Sequence, residues 1–519
     1  MGNMLEQLTE LAHKLHDAKV EHVFGITGSG PSLRLISTME DLGARYHPVS
    51  HEAAAAIMAG AVGRINQEPA ASVSIRGPGL LNQLPGIALN HFETAPAVSI
   101  SEAMGPEVPA HRMHKRVDQH TILNPVVKAR ASLSQLDSIG SLLAVTTAEV
   151  PGPVHVQLCE EPSAVVTKDP AIPGDLAAET QMLEMIEQSE RPVVIAGSLA
   201  LRRPWGRCLA DCQAPVFTTA AGKGAIDESL PQAVGVYTGS GGALAPESGL
   251  SQHADLIVGL GLRNTEVLSA KAFGIPTLIV DEIGGAYHDG FEPETVLIAP
   301  EASSFDRVLE TLTRKGNATE ALMPLVLSML DILHAAGDWL PVTVFSSLNE
   351  LELSYALVLD TGDFCTVGEH VWQASPERPF LGSSNSRFMG AGIPTAIGAA
   401  IARPGLPVIC VVGDGGIRMY PSEIRLAVAE RLPICFVLMT DGRFASVANG
   451  AGTWSSKRAL EIDGPSWWRS AQIFGCDSTL VSSQLEFERA MNGWGRDGPL
   501  FLETVFSPVR YARMASELR

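Results

Sequence analysis

Two aspartates in the last third of the chain are the residues best suited to chemistry. Asp414 follows an apolar run at residues 406–412 and is flanked by glycines, and Asp441 follows a second apolar run at residues 432–439. Carboxylate oxygens suit Mg²⁺, and small glycines let a phosphate approach the backbone. The pattern therefore predicts a site for a metal-bound diphosphate.

A strand-helix-strand unit is the element that would position these two carboxylates. The residues between the two apolar runs, 421–431, have a helical pattern. In a parallel sheet, the carboxyl ends of both strands of such a unit lie at the same edge, so Asp414 and Asp441 are expected to converge. A Gly-Asp-Gly segment alone is more often an ordinary strand end. The spacing and the flanking strands favour the ligand site.

Length and charge restrict the class of protein. A chain of 519 residues is too long for one core, so two to four domains are expected. The formal net charge is -20, which excludes the basic surface that a nucleic-acid-binding protein needs. The seven cysteines include no Cys-x-x-Cys pair, so neither a zinc site nor a disulfide framework is expected. With no signal-peptide pattern and no long apolar run, we expect a cytoplasmic protein without a membrane partner.

Apolar runs of strand length recur along the whole chain. The longer predicted strands are at residues 22–25, 71–75, 152–158, 191–197, 254–261, 276–281, 356–360, 406–412, 432–439 and 499–505. Runs of this kind are typical of parallel sheets covered by helices on both faces. We predict an α/β fold of three doubly wound domains, at residues 1–168, 180–330 and 342–519, with a linker at residues 162–180.

Short motifs spread along the chain carry a family resemblance. They are Val23 to Gly25 with Gly28, Ser50 to Ala54, Gly77 to Gly79 with Asn82, Gly152 to Val154, Met389 to Gly392 with Ala396 to Gly398, and Gly413 to Gly415 with Asp441. In this order, the chain resembles the thiamine-diphosphate-dependent enzymes of the acetolactate synthase, pyruvate oxidase and benzoylformate decarboxylase group. The resemblance covers essentially the whole chain. It implies a pyrimidine-binding, a central and a diphosphate-binding domain, with thiamine diphosphate and Mg²⁺ as cofactors.

Glu52 is the catalytic residue that the resemblance implies. In the family, a glutamate here contacts the aminopyrimidine ring of the cofactor and favours the imino tautomer, whose nitrogen deprotonates the thiazolium carbon. In this chain, Glu52 falls in the first turn of a predicted helix, with Ser50 as the expected N-cap. The helix N-terminus favours a charged carboxylate, whereas burial among alanines favours a neutral one.

The resemblance also implies the cofactor contacts. Asp414 and Asp441 match the side-chain ligands of Mg²⁺, with the Arg443 carbonyl as a third protein ligand. The family usually has Asn at the position of Asp441, and a second negative charge should tighten Mg²⁺ binding. Met389 matches the apolar residue that holds the cofactor in its bent conformation, with a role as core filler as the alternative. The further expected contacts are Gly362, Asp363, Phe364, Arg387, Gly413, Gly415, Gly416, Arg443 and Phe444.

Three positions bear on the substrate. Ser29 resembles the serine of benzoylformate decarboxylase and could hydrogen-bond a substrate carboxylate. Arg76 stands where the family usually has a small polar residue, and Arg443 adds charge beside the metal loop. Should either arginine point inward, the substrate is anionic or dicarboxylic, because Arg binds carboxylates bidentately. A salt bridge on the surface or between subunits is the alternative for each.

Three histidines are candidates for proton transfer, namely His51, His91 and His114, with a structural role as the alternative for each. The adjacent His-His pair of pyruvate decarboxylases is missing, which counts against an enzyme of that type. The Gly-x-Gly at residues 259–261 is weak evidence for a nucleotide, so FAD is not predicted.

The leading hypothesis is a carboligase of the acetolactate synthase kind, in which a 2-oxo acid loses CO₂ and the resulting enamine adds to a second carbonyl. A non-oxidative decarboxylase that releases an aldehyde shares all of these motifs. A non-catalytic regulatory paralogue would need a broken cofactor site, whereas Glu52, Asp414 and Met389 are present. The family also implies a homodimer or homotetramer with active sites between subunits.

Overall fold

The chain folds into three parallel sheets that follow one another along the sequence. A computed structural model describes residues 2–28, 30–105, 108, 115–159, 176–239, 242, 244–269, 274–298, 302–315, 319–450 and 456–518. Within this part of the chain, each sheet has six strands and is flanked by helices. The predicted α/β class with three doubly wound parallel sheets is confirmed. The domain boundaries stay a prediction.

The first sheet has the strand order β2-β1-β3-β4-β6-β5. Its strands are β1 (His22–Gly25), β2 (Arg45–Pro48), β3 (Ala70–Ser74), β4 (Ala97–Glu102), β5 (Ala129–Ser132) and β6 (Pro153–Leu158). Its helices are α1 (Gly2–Asp17), α2 (Pro31–Asp41), α3 (Glu52–Asn66), α4 (Pro78–Phe92), α5 (Gln119–Leu123) and α6 (Leu136–Val145). The glycine-rich turns after β1 and β3 therefore lie at one edge of this sheet.

The second sheet has the strand order β12-β11-β10-β7-β8-β9. Its strands are β7 (Pro192–Ala196), β8 (Val216–Thr219), β9 (Ala233–Tyr237), β10 (Leu256–Leu260), β11 (Thr277–Asp281) and β12 (Thr295–Ile298). The helices in this region are α7 (Leu176–Gln188), α8 (Gly206–Asp211), α9 (Leu250–His253), α10 (Ala302–Thr313) and α11 (Thr319–Ala335). Apart from its C-terminal end, the predicted linker falls outside the described residues.

The third sheet has the strand order β14-β13-β15-β16-β18-β17. Its strands are β13 (Ala356–Leu359), β14 (Phe380–Gly382), β15 (Val408–Gly413), β16 (Ile434–Thr440), β17 (Asp477–Val481) and β18 (Leu500–Val505). Its helices are α12 (Pro341–Asn349), α13 (Asp363–Val371), α14 (Gly392–Ala402), α15 (Ile424–Ala429), α16 (Ala445–Gly450), α17 (Lys457–Leu460), α18 (Trp467–Ile473), α19 (Gln484–Gly493) and α20 (Pro508–Glu517). Since β15 pairs with both β13 and β16, the residues that follow these three strands meet at one edge.

The helix predicted over residues 421–431 is shorter in the structure. A single 3₁₀ turn precedes α15, which ends at Ala429. Arg431 has a left-handed backbone with φ 52°, a conformation that ends a helix before the next strand. Such a turn leaves no signal in the apolar pattern of the segment.

The first and third domains pack closely through α3 and α14. Gly398 of α14 lies so near α3 that an added Cβ would be 2.5 Å from the Met58 carbonyl oxygen. A second contact joins the Ser50 N–H to the Glu423 carboxylate at 3.1 Å. The two contacts fix the middle and the start of α3 against the domain that carries the two aspartates. Nowhere in the described chain is a helix both long and apolar enough to cross a bilayer.

Candidate cofactor site and active site

Asp414 and Asp441 follow paired strands of the third sheet. Gly413 of β15 is in register with Met439 of β16, so the two carboxylates leave the sheet side by side. The Asp414 Oδ2 atom accepts hydrogen bonds from the N–H groups of Asp441 (3.3 Å) and Gly442 (2.8 Å). The parallel pairing thus brings together the two residues that the sequence analysis singled out.

Burial makes both carboxyl groups costly to ionise in the protein alone. Burial raises the pKa of Asp414. For Asp441, burial and the neighbouring charge of Asp414 raise the pKa to about 7, against the stabilising contact with the Arg443 N–H. A divalent cation would favour the charged form of both groups. Among the described residues, no three His, Cys, Asp or Glu side chains cluster as metal ligands, so main-chain oxygens, water or phosphate would complete the coordination.

Small residues beside Asp414 form a cradle that larger side chains would fill. A Cβ added to Gly415 would lie 2.7 Å from the Phe444 ring and 3.3 Å from the Met389 sulfur. A Cβ added to Gly413 would lie 2.9 Å from the Phe364 ring. The structure therefore brings these predicted cofactor residues together. A glycine cradle beside two carboxylates fits a metal-bound diphosphate.

Asp360, which follows β13, ties this cradle together and was not among the predicted site residues. Its two carboxylate oxygens accept the Gly390 N–H at 2.9 and 3.0 Å. Burial raises the pKa of Asp360 to about 7 despite these bonds. Gly416 also abuts it, since an added Cβ there would lie 2.3 Å from Asp360 Oδ2. An aspartate directly after an apolar strand is the same signal that marked Asp414, so the sequence could have indicated it.

The remaining predicted contacts on this edge have internal partners. Arg387 has a left-handed backbone with φ 50°, and its guanidinium pairs with Glu369 at 2.5 Å. Because its guanidinium is already paired, Arg387 would contact a ligand through its main chain. Asp363 accepts a hydrogen bond from Asn449 at 2.7 Å, and Gly362 packs against the Phe364 ring.

Glu52 is the first residue of α3, and the N-cap of that helix differs from the prediction. The cap is His51, whose Nδ1 accepts the Ala53 N–H at 3.1 Å, so the prediction of Ser50 was wrong. Ser50 instead donates its N–H to Glu423 of the third domain. The His51 ring also packs edge-on against Tyr420, at a centroid distance of 5.3 Å.

The Glu52 carboxylate is held in a sheltered position. It is 7% exposed, and its Oε2 atom accepts a hydrogen bond from Asn82 Nδ2 at 3.1 Å. Its Oε1 atom faces the turn at residues 77–79, where a Cβ added to Gly79 would lie 3.6 Å away. One oxygen is therefore oriented by the protein, while the other borders Gly79, which has no side chain.

The predicted substrate residues are spread over different places. Arg76 is half-buried beside a cavity at the end of β3. His91 lies in the last turn of α4, about 20 Å along the helix from the turn that faces Glu52. Arg443 is half-buried, and its main chain forms a bridge with Glu461. Ser29 and His114 lie outside the described residues.

The strand end at residues 259–261 leads to a buried ion network. Arg263 is fully buried and pairs with Glu149 of the first domain at 3.2 Å and with Asp281 at 2.9 Å. Burial nevertheless raises the pKa of Asp281 to about 6. The arginine at this strand end thus joins two domains.

Comparison with known families agrees with this architecture. The N-terminal TPP-binding domain of thiamine pyrophosphate enzymes matches residues 8–122, the central domain matches residues 180–283, and the C-terminal TPP-binding domain matches residues 360–504. These three stretches span most of the chain and contain Glu52, Asp414 and Asp441. The chain belongs to the thiamine pyrophosphate enzymes.

Relatives in this family are distant but match over nearly their full length. A probable acetolactate synthase large subunit of Methanococcus aeolicus is 22% identical over 95% of this chain and 91% of its own. An acetolactate synthase of Bacillus subtilis is 23% identical over 95% and 91% of the two chains. A probable 2-ketoarginine decarboxylase of Pseudomonas aeruginosa is 24% identical over 95% and 92%. The chain is thus similar to acetolactate synthases and to a probable 2-ketoarginine decarboxylase.

Proposed function

We propose that the protein is a thiamine-diphosphate-dependent carboligase. It would decarboxylate a 2-oxo acid and join the remaining acyl unit to a second carbonyl compound. The observation that supports an active enzyme is the sheltered Glu52 carboxylate, whose Oε2 accepts a hydrogen bond from Asn82 and whose Oε1 faces Gly79. A non-catalytic paralogue would have no use for this arrangement beside an intact cradle.

The residues on the third sheet fit the cofactor. Asp414, Asp441 and the Arg443 carbonyl would hold Mg²⁺. The cation would relieve the repulsion between the two buried carboxylates. The glycines at residues 413, 415 and 416 would border the diphosphate. Met389 would support the ring system, with Phe444 beside it.

When bound, thiamine diphosphate supplies a nucleophilic carbon and an electron sink for the loss of CO₂. Glu52 would share a proton through Oε1 with the aminopyrimidine nitrogen. Asn82 orients the carboxylate, and burial keeps water away from it, so that the proton stays at that contact. These roles of Glu52 and Asn82 would be the same whichever carbonyl compound accepts the acyl unit.

A decarboxylase that releases an aldehyde is the second candidate. The similarity to a probable 2-ketoarginine decarboxylase favours it, because that relative covers as much of the chain as the synthases do. The two activities differ in the second half of the reaction, where either a carbonyl acceptor or a proton meets the acyl unit. Identification of the product therefore separates them.

Glu52→Gln tests the proposed role of Glu52. We expect CO₂ release from 2-oxo acids to fall at least about 100-fold, as for the loss of an acid-base group. Thermal stabilisation by thiamine diphosphate and Mg²⁺ should persist, because the amide is isosteric. Glu10→Gln, at an exposed ion pair with Lys14, is the matched control. Unchanged CO₂ release in Glu52→Gln would overturn the assignment.

A further inference from the structure

A basic cavity of about 450 Å³ lies at the edge of the first sheet. Its wall includes Arg76, which follows β3, together with Lys115 and Arg116, which precede α5. Gln119 of α5 and Gln157 of β6, both buried, also line it. Three permanent cations around one cavity are unexpected in a chain with a formal net charge of -20.

Two of these cations lack a counter-charge among the residues that the structure describes. Across the residues that the structure describes, neither the Arg76 guanidinium nor the Lys115 ammonium forms an ion pair or a side-chain hydrogen bond. The lining also contains Asp118, but its carboxylate caps α5 by accepting from the N–H (3.1 Å) and hydroxyl (2.6 Å) of Thr121. The cavity is therefore suited to an anion, and a guanidinium binds a carboxylate bidentately.

A buried amide oxygen gives a second, independent indication of a ligand. Gln119 Nε2 donates to the Glu102 carbonyl at 2.9 Å, so Gln119 Oε1 is the atom that accepts from Gln157 Nε2 at 3.0 Å. This pairing fixes the orientation of the Gln157 amide. Its Oε1 atom is buried and has no hydrogen-bond partner in the described part of the chain. Buried polar atoms are normally satisfied, so a bound molecule or its water is expected here.

One turn links the cavity to Glu52. Arg76 directly precedes the turn at residues 77–79, whose Gly79 faces Glu52 Oε1. On the same turn, a Cβ added to Gly77 would lie 2.2 Å from the Lys115 carbonyl oxygen. The turn thus contacts both Glu52 and the segment that carries Lys115. A molecule that reacts beside Glu52 could therefore extend its far end toward these cations.

We propose that this cavity binds a second, distal carboxylate of the substrate. The protein would then prefer a 2-oxo acid with an acidic tail over one with an uncharged tail. That the bound molecule is a substrate rests on the proposed function, whereas anion binding by the cavity does not. Arg76 binds the distal carboxylate, and Lys115 adds a second positive charge at the rim.

The test compares 2-oxoglutarate with 2-oxopentanoate, which has the same carbon chain without the distal carboxylate. We expect the holoenzyme to show a lower KM for 2-oxoglutarate. Arg76→Gln should raise that KM about tenfold or more, as for the loss of a hydrogen-bonded ion pair. The KM for 2-oxopentanoate should stay within about twofold. Arg431→Gln, an exposed arginine of the third domain, is the control and should change neither value.

Calorimetric binding of glutarate, with pentanoate as the uncharged-tail control, separates the two proposals. Glutarate binding that weakens in Arg76→Gln, without turnover of any neutral or dicarboxylic 2-oxo acid, would support the anion site and reject the proposed function. Preferred turnover of 2-oxopentanoate, with glutarate binding indifferent to Arg76→Gln, would reject the anion site alone. Absence of both turnover and glutarate binding would overturn both. Lys115→Gln, at an exposed position, repeats the test should Arg76→Gln fold poorly.

Discussion

Asp414 and Asp441 end adjacent parallel strands, and Asp414 Oδ2 accepts the Asp441 N–H at 3.3 Å. The same oxygen accepts the Gly442 N–H, whereas the Asp441 carboxylate accepts the Arg443 N–H. The two carboxylates are thus close but differently engaged. This asymmetry predicts that they tolerate amide substitution differently.

Asp414→Asn should weaken Mg²⁺ binding at least about tenfold, and Asp441→Asn should weaken it less. The amide oxygen at position 414 would be taken by two N–H groups, which leaves an NH₂ toward the metal. A Mg²⁺ titration of cofactor-dependent thermal stabilisation measures this. Asp497→Asn, on the surface, is the control. Equal effects of the two site variants would contradict the asymmetry.

Gly416→Ala should destabilise the protein by roughly 1–3 kcal/mol, because the added methyl group would lie 2.3 Å from Asp360 Oδ2. Asp360 cannot move aside without losing its bonds to Gly390. Thermal denaturation measures the effect. Gly140→Ala in α6 is the matched control, because nothing lies within 4 Å of its added Cβ. A similar Tm for the two variants would show that the Asp360 contact is not rigid.

The raised pKa of Glu423 predicts that the stability of the protein depends on pH. Burial raises its pKa to about 7, against the N–H groups of Ser50 and His51. Because the unfolded carboxyl titrates near its ordinary pKa of about 4.3, the folded state binds more protons between the two values. Its contribution to stability is therefore present at low pH and is lost as pH rises from about 4 through 7.

Glu423→Gln should remove this part of the pH dependence. The Tm of the variant relative to the natural protein should be higher at pH 8 than at pH 5. The free-energy difference behind this shift is about 3 kcal/mol at most. Thermal scans at the two pH values, with Glu10→Gln as the control, provide the measurement. An identical pH dependence in Glu423→Gln and the natural protein would show that Glu423 titrates normally.

If the active site lies between subunits, Glu52→Gln and Asp414→Asn should restore activity together at a Mg²⁺ concentration at which neither variant alone is active. The family implies that Glu52 of one subunit serves the third domain of another. Coexpression of Glu52→Gln with Asp414→Asn would then give mixed dimers with one intact site. Random pairing predicts about one quarter of the natural activity. Activity no higher than that of either variant alone would place the whole site within one chain.

The sequence alone predicted those parts of the site that depend on the order of neighbouring strands along the chain. The predicted strands at residues 406–412 and 432–439 end just before Asp414 and Asp441, and the parallel pairing of these strands brings the two residues together. The long-range contacts left no such signal. Ser50 is a good N-cap by type, but its N–H is engaged by Glu423, more than three hundred residues away, and His51 caps the helix instead.

Helix ends and side-chain partners are further features that the sequence alone does not reveal. The helix predicted over residues 421–431 contains a 3₁₀ turn and ends at Ala429, because Arg431 has a left-handed backbone. His91 looked available for proton transfer, yet α4 carries it away from the turn beside Glu52. Arg387 matched a cofactor position, while its charge is paired with Glu369.

The most direct test is CO₂ release with thiamine diphosphate and Mg²⁺ across neutral and dicarboxylic 2-oxo acids, with products identified by mass spectrometry. We expect cofactor-dependent CO₂ release and a hydroxyketone product that joins the acyl unit to a second carbonyl compound. An aldehyde as sole product would contradict the carboligase and establish the decarboxylase. Cofactor binding without turnover of any acid would contradict both.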